Sequence, residues 1–182
     1  MYIVIACVVV LLGYIIITYN KLVKYRIMYL EAYSGIDVQL KKRYNLIPNL
    51  LETVKGYAQH EVSTFETIVE ARNEAIAAKN IDSQQKAEQQ LSDSLIKLFA
   101  LAEQYPDLKA SENFRHLQQQ LTDIEEDIEK SRRYYNGTVR EYNLTVASFP
   151  SSIIASLFKF KSWSFFEISQ SQREITKVSF TK

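Results

Sequence analysis

A chain of 182 residues with 22 Lys and Arg against 21 Asp and Glu has a formal net charge of +1. It therefore lacks the basic excess that nucleic-acid binders show, and nucleic acid is not an expected partner. The single cysteine, Cys7, excludes an intramolecular disulfide and a cysteine-based metal site. With only 4 Gly and 3 Pro, and helix formers crowded after residue 35, the composition is that of an all-α protein with room for one domain beyond a membrane segment.

From Tyr2 to Tyr19 every residue is apolar or aromatic except Gly13 and Thr18. As a helix this run rises roughly 27 Å, about one hydrocarbon core. Its basic residues follow it rather than precede it, so residues 1–20 read as a transmembrane helix and not as a cleaved signal. Too little chain precedes Cys7 for a lipoprotein box. Lys21, Lys24 and Arg26 come directly after the span, which places the N-terminus outside and the body in the cytoplasm.

Tyr33, Ile36, Leu40, Tyr44, Ile47, Leu51, Val54 and Ala58 recur mostly by steps of three and four, the stripe of a long helix from Lys21 to Tyr57. Pro48 inside it predicts a kink. Gly56 and His60 mark a turn, and Ser63-x-x-Glu66 has the form of a capping box opening a second helix with Phe65, Ile68, Val69 and Ile76 on its core face. Asn80 to Asp82 form the next break. Asp82-x-x-Gln85 then opens a third helix, with Ala87, Leu91, Leu95, Leu98 and Ala102 inward, ended by Tyr105-Pro106. The clearest seam runs from Phe114 through Leu117, Leu121, Ile124, Ile128, Ser131, Tyr135, Thr138, Tyr142 and Thr145 to Phe149, on a fourth helix from about Pro106 to Ala147. The expected architecture is an antiparallel four-helix bundle over 21–149, with long first and last helices pairing end to end.

Such a bundle returns Phe149 to the bilayer surface. After the break at Phe149-Pro150, residues 150–182 form an aromatic-rich segment and a polar tail beyond Glu167. Phe158, Phe160, Trp163, Phe165 and Phe166, interleaved with Lys159 and Lys161, read either as an interfacial membrane anchor or as a cap folded onto the open end of the bundle.

The stretch from Ile36 to Leu50, with Glu52-Thr53-Val54-Lys55-Gly56-Tyr57-Ala58 after it, resembles the signature of the LemA family. Tyr105-Pro106-Asp107-Leu108-Lys109-Ala110, Arg132-Arg133-Tyr134-Tyr135-Asn136, Tyr142-Asn143 and Phe149-Pro150 match it too, so the resemblance covers nearly the whole chain. Lys177-Val178-Ser179-Phe180 looks like the family's ending, with Ser179 where an acidic residue is usual. The resemblance implies a bacterial-type protein with a short outer N-terminus, one span and a cytoplasmic helical bundle. It implies no established activity; a relative takes part in magnetosome membrane formation, which points toward organising membranes.

Three Tyr-Asn pairs stand out: Tyr44-Asn45, Tyr135-Asn136 and Tyr142-Asn143. If the long helices pair, the first faces the other two, forming either a polar ligand groove or a set of core phenols and amides that satisfy one another and fix register. His60-Glu61 lacks the second histidine of a zinc helix and His116 stands alone, so no metal or other cofactor is expected. Asp123, Glu125, Glu126, Asp127 and Glu129 flank the inward Ile124 and Ile128 and read as a solvated face. Lys41, Lys42 and Arg43 read as a basic patch for a partner or for solubility. No phosphate loop or nucleophile motif is present, so no catalytic residue is assigned. The expected role is a non-enzymatic scaffold or interaction module whose partners are the lipid bilayer and a second protein or another copy of itself. The alternative is a small-ligand sensor using the Tyr-Asn groove.

Overall fold

The computed structural model of the chain describes residues 1–167. The polar tail beyond Glu167 and the family-like ending at 177–180 lie outside the described residues. Among the described residues the regular structure is all helical: α1 (Tyr2–Lys55), α2 (Val62–Ala77), α3 (Ile81–Ala102), α4 (Pro106–Ala110), α5 (Glu112–Ala147) and α6 (Ser151–Leu157). The described residues divide into two compact units, one of Met1–Arg43 with Thr122–Phe165 and one of Tyr44–Leu121 with Phe166 and Glu167.

The apolar leader and the helix after it are one element, because no Gly or Pro lies between Tyr19 and Lys24 to break the helix. α1 runs unbroken for 54 residues, and Pro48 stays within it. The leader is long and apolar enough to cross a membrane, with mean hydropathy 2.6 and only 6% of that window buried. In the first unit α1 and α5 pair antiparallel. The Tyr29 and Tyr33 rings meet Tyr135 at 5.4 and 6.2 Å between centroids, whereas Arg43, further along α1, meets Glu125, earlier on α5. Nearer the leader, Leu22 packs with Tyr142 and with Ala155 of α6.

The core of the second unit joins Ile47, Leu50 and Val54 of α1, Phe65 and Ile68 of α2, Leu91, Leu95 and Leu98 of α3, Leu108 of α4 and Phe114 of α5. The third-helix stripe, Ala87 to Ala102, is buried throughout. The second-helix face differs from expectation. Phe65, Ile68, Ala71 and Ala75 are buried while Val69 and Ile76 are exposed. The alanines let α2 lie close against α3, which turns the larger Val69 and Ile76 outward.

Helix starts differ as well. α2 begins at Val62 with Glu61 as N-cap and no side-chain cap, so Ser63-x-x-Glu66 is not a capping box. The Glu61 carboxylate instead accepts a hydrogen bond from the Tyr105 hydroxyl at 3.1 Å. α3 is capped by Asn80 rather than Asp82. Asn80 Oδ1 accepts from the Ser83 N–H at 2.8 Å, and Ser83 Oγ accepts from the Asn80 N–H at 3.2 Å. The expected fourth helix is split at Ser111, whose ψ of 123° is extended and separates α4 from α5. The seam ends at Thr145, for Phe149 lies beyond α5 and is 83% exposed.

Candidate functional site

The described C-terminal segment is tied to the first unit by side chains of α5. The Asn143 amide makes two hydrogen bonds to the Trp163 backbone: Nδ2 donates to the carbonyl at 2.9 Å, and Oδ1 accepts from the N–H at 2.9 Å. An amide side chain paired this way imitates a neighbouring strand and holds an extended segment in register. The Tyr135 hydroxyl donates to the Ser164 carbonyl at 2.9 Å. The Trp163 indole stacks on Tyr29 at 4.2 Å and 25° and lies 6.3 Å from the Tyr142 ring.

These groups form an aromatic cradle from α1 and α5, and burial governs their acidity. Burial first, then the neighbouring Tyr29 and Tyr33, pushes the Tyr135 phenol well above the usual tyrosine range. Burial also raises Tyr142, with the Trp163 indole and the Arg26 charge pulling it back. Tyr33 is raised by burial and by the Asp37 carboxylate. None of these phenols is poised to act as a base at neutral pH. Tyr29 escaped the sequence reading, although it falls four residues before Tyr33 on the same stripe.

The Tyr-Asn residues divide between the units. In the second, the Tyr44 hydroxyl donates to the buried Glu88 carboxylate, Arg72 Nε donates to the Tyr44 carbonyl at 2.8 Å, and Asn45 is exposed. In the first, Tyr135 and Tyr142 are buried, while Asn136 and Asn143 are half-buried.

The C-terminal aromatics also divide. Phe158 and Phe160 lie against the Tyr19 ring at the end of the apolar leader, with centroids 4.8 and 5.8 Å away. Phe160 and Trp163 pack on the Leu22, Tyr142 and Ala155 cluster. In the second unit Phe166 is buried, next to Glu167, whose carbonyl accepts from Gln85 at 2.9 Å. Phe165 is exposed, and so are Ile153, Leu157 and Phe158.

Two concavities accompany these features. The first unit has one of about 350 Å³ lined by Arg26, Tyr142, Lys159, Phe160, Lys161, Ser162 and Trp163. The second has an open groove of about 890 Å³ whose lining includes Val62, Phe65, Val69 and Ala77, with Glu66, Glu70 and Glu74 along one side and Lys55 on another.

The charge clusters are reordered by packing. Lys41 and Lys42 are exposed, but Arg43 is only 2% exposed and its Nε lies 2.7 Å from Glu125, itself 42% exposed. Arg43 therefore belongs to the interior and not to a surface patch. Lys130 pairs with Glu126 and Asp127, and Arg133 with Glu129, as ordinary surface ion pairs. Among the described residues no group of three or more His, Cys, Asp or Glu is placed to hold a metal ion.

A sequence model described as the LemA family matches residues 32–180. Magnetosome protein MamQ of Magnetospirillum gryphiswaldense is 24% identical, across 73% of this chain and 58% of its own length. Magnetosome protein MamQ 2 of Paramagnetospirillum magneticum is 24% identical across 74% of this chain and 59% of its length. Protein LemA of Metamycoplasma hominis is 24% identical across 79% and 66%. The chain thus spans less than two thirds of the length of these relatives.

Proposed function

The chain belongs to the LemA family, and on that footing we propose that it is a non-enzymatic, single-pass protein of the cytoplasmic membrane that acts as a scaffold or interaction module. Its N-terminus lies outside and its body in the cytoplasm, as the basic residues after the leader favour. The observation that carries the reading is the open groove on α2. Val62 and Val69 face solvent there beside a row of glutamates, which suits a docked helix with an apolar stripe and basic flanks.

The test is purification of tagged full-length protein from native membranes in mild detergent, with native mass analysis of the wild type and of Val69→Glu. A stoichiometric second protein, or a second copy, that is lost in V69E supports the reading. A bare monomer from wild type overturns it. The ligand-sensor alternative, with its groove of Tyr44, Asn45, Tyr135, Asn136, Tyr142 and Asn143, has less support, because Tyr135 and Asn143 are engaged by the chain's own Ser164 and Trp163. A thermal-shift hit abolished by Asn136→Ala in a folded protein would favour it instead.

A further inference from the structure

The concavity lined by Arg26, Lys159 and Lys161 sits where α1 leaves its apolar leader. Tyr19 ends the leader and touches both Phe158 and Phe160. Arg26 is about 10 Å further along the same helix, within reach of the headgroup layer that flanks a hydrocarbon core. Three cations thus border one cavity of about 350 Å³ whose other walls include Tyr142, Phe160 and Trp163. Beside it, α6 buries Ile154 and Ala155 but exposes Ile153 and Leu157, and Phe149 just before α6 is exposed too. Ile153 and Leu157, four residues apart, share the exposed face of α6, which is costly in water and at a bilayer boundary meets acyl chains.

The backbone adds an independent observation. Lys159 has φ of 58°, in the left-handed region that favours glycine. It terminates α6 in a Schellman arrangement: the Phe160 N–H donates to the Ala155 carbonyl at 2.9 Å and the Lys159 N–H to the Ser156 carbonyl at 3.1 Å. A glycine here would relieve the strain, yet the position carries a long cation lining the cavity.

We infer that this cavity receives the phosphate of an anionic phospholipid from the membrane that α1 enters, with Arg26, Lys159 and Lys161 as its cationic wall and the exposed face of Ile153 and Leu157 against the acyl chains. The inference rests on the membrane placement proposed above but not on any protein partner. An anionic diester carries the complementary charge, and the adjoining apolar face selects a lipid over a free anion.

Trp163 is the sole tryptophan, so its fluorescence reports on this cavity. The experiment titrates full-length protein in a nonionic detergent with dioctanoyl phosphatidylglycerol, dioctanoyl phosphatidylcholine or inorganic phosphate. A saturable change of Trp163 emission is expected with phosphatidylglycerol, at least tenfold tighter than with phosphatidylcholine, and weakened about fivefold for each cation removed in Lys159→Gly, Lys161→Gln or Arg26→Gln. K159G keeps or raises thermal stability while losing lipid, a combination that a purely structural role for Lys159 does not produce, and Lys159→Arg retains binding. Equal responses to the two lipids, or a K159G and K161Q double variant that binds as wild type does, overturn the site. Inorganic phosphate reproducing the full response at the same concentrations makes it a free-anion pocket and overturns the lipid assignment. None of these results bears on whether V69E loses a protein partner, so the two readings fail separately.

Discussion

Asn143 and Trp163 are locked together by a reciprocal pair of hydrogen bonds, each 2.9 Å, between one side-chain amide and one backbone peptide unit. This pair holds the segment after α6 in register on α5, and each hydrogen bond to a poorly solvated peptide group is costly to lose. Asn143→Leu preserves bulk but leaves the Trp163 N–H and carbonyl without that partner. We expect a loss of about 1–3 kcal/mol, with a red-shifted Trp163 emission and easier quenching by acrylamide. An unchanged emission maximum and quenching constant in N143L would show that the aromatic stacking alone holds the segment.

Arg43 and Glu125 form an asymmetric ion pair, the guanidinium 2% exposed and the carboxylate 42% exposed. Removing the carboxylate takes this partner away from a buried guanidinium, whereas removing the guanidinium leaves a carboxylate that water can reach. Glu125→Gln should therefore cost about 2 kcal/mol or more, while Arg43→Met, whose chain refills the same apolar path, should cost at most about 1 kcal/mol. Thermal midpoints of the two variants decide the matter, and the reverse order would contradict the assignment of Arg43 to the interior.

Arg43 also illustrates how much was legible beforehand. The stripes on α1, α3 and α5 follow from a period that packing must obey, and Ile36, Leu40, Ile47, Leu91, Leu98 and Leu121 are buried as that period requires. Arg43 lies three residues after Leu40 and four before Ile47, so the same period already placed it inside; its two lysine neighbours disguised it as a patch. The cradle around Trp163 was less legible. Its partners are far apart in the chain, and one is an extended segment without periodicity, so Tyr135 and Asn143 stand out as unusual without a task, and Tyr29 does not stand out at all. On α2, alanines at 71 and 75 rather than the larger Val69 and Ile76 face inward, because a close approach selects small size over hydrophobicity.

Caps are hard to read from sequence for a different reason: short Ser, Asp and Asn motifs are degenerate, and only the backbone shows which one is used. The reciprocal Asn80–Ser83 bonds predict that Asn80→Ala destabilises the protein by about 1 kcal/mol, while Ser63→Ala stays within about 0.5 kcal/mol of wild type. Asp82→Ala, which removes only a favourable charge from the first turn, should cost a few tenths of a kcal/mol, roughly. Denaturant midpoints of the three variants test the ranking; a larger loss in S63A than in N80A would return the cap to Ser63.

Tyr135 joins the two helices of the first unit to Ser164, and its acidity predicts how the protein responds to alkali. Its phenol is raised above the ordinary value of 10.0, chiefly by burial and then by the adjacent tyrosines. In the unfolded chain it ionises near pH 10, while in the folded protein it keeps its proton, so above that pH the folded state holds more protons than the unfolded one. Its stabilising contribution is therefore complete below pH 10 and declines as pH rises beyond it, by up to about 1.4 kcal/mol per pH unit for this group. Tyr142 and Tyr33, raised in the same direction, add to the slope. Thermal midpoints should be flat from pH 8 to about 9.5 and fall steeply above it. Tyr135→Phe removes one titrating group, so it should start from a lower midpoint, having lost the bond to Ser164, yet decline less steeply with pH. Parallel slopes for wild type and Y135F would mean that Tyr135 ionises as readily in the folded protein as in the unfolded chain, and that the cradle is open to water.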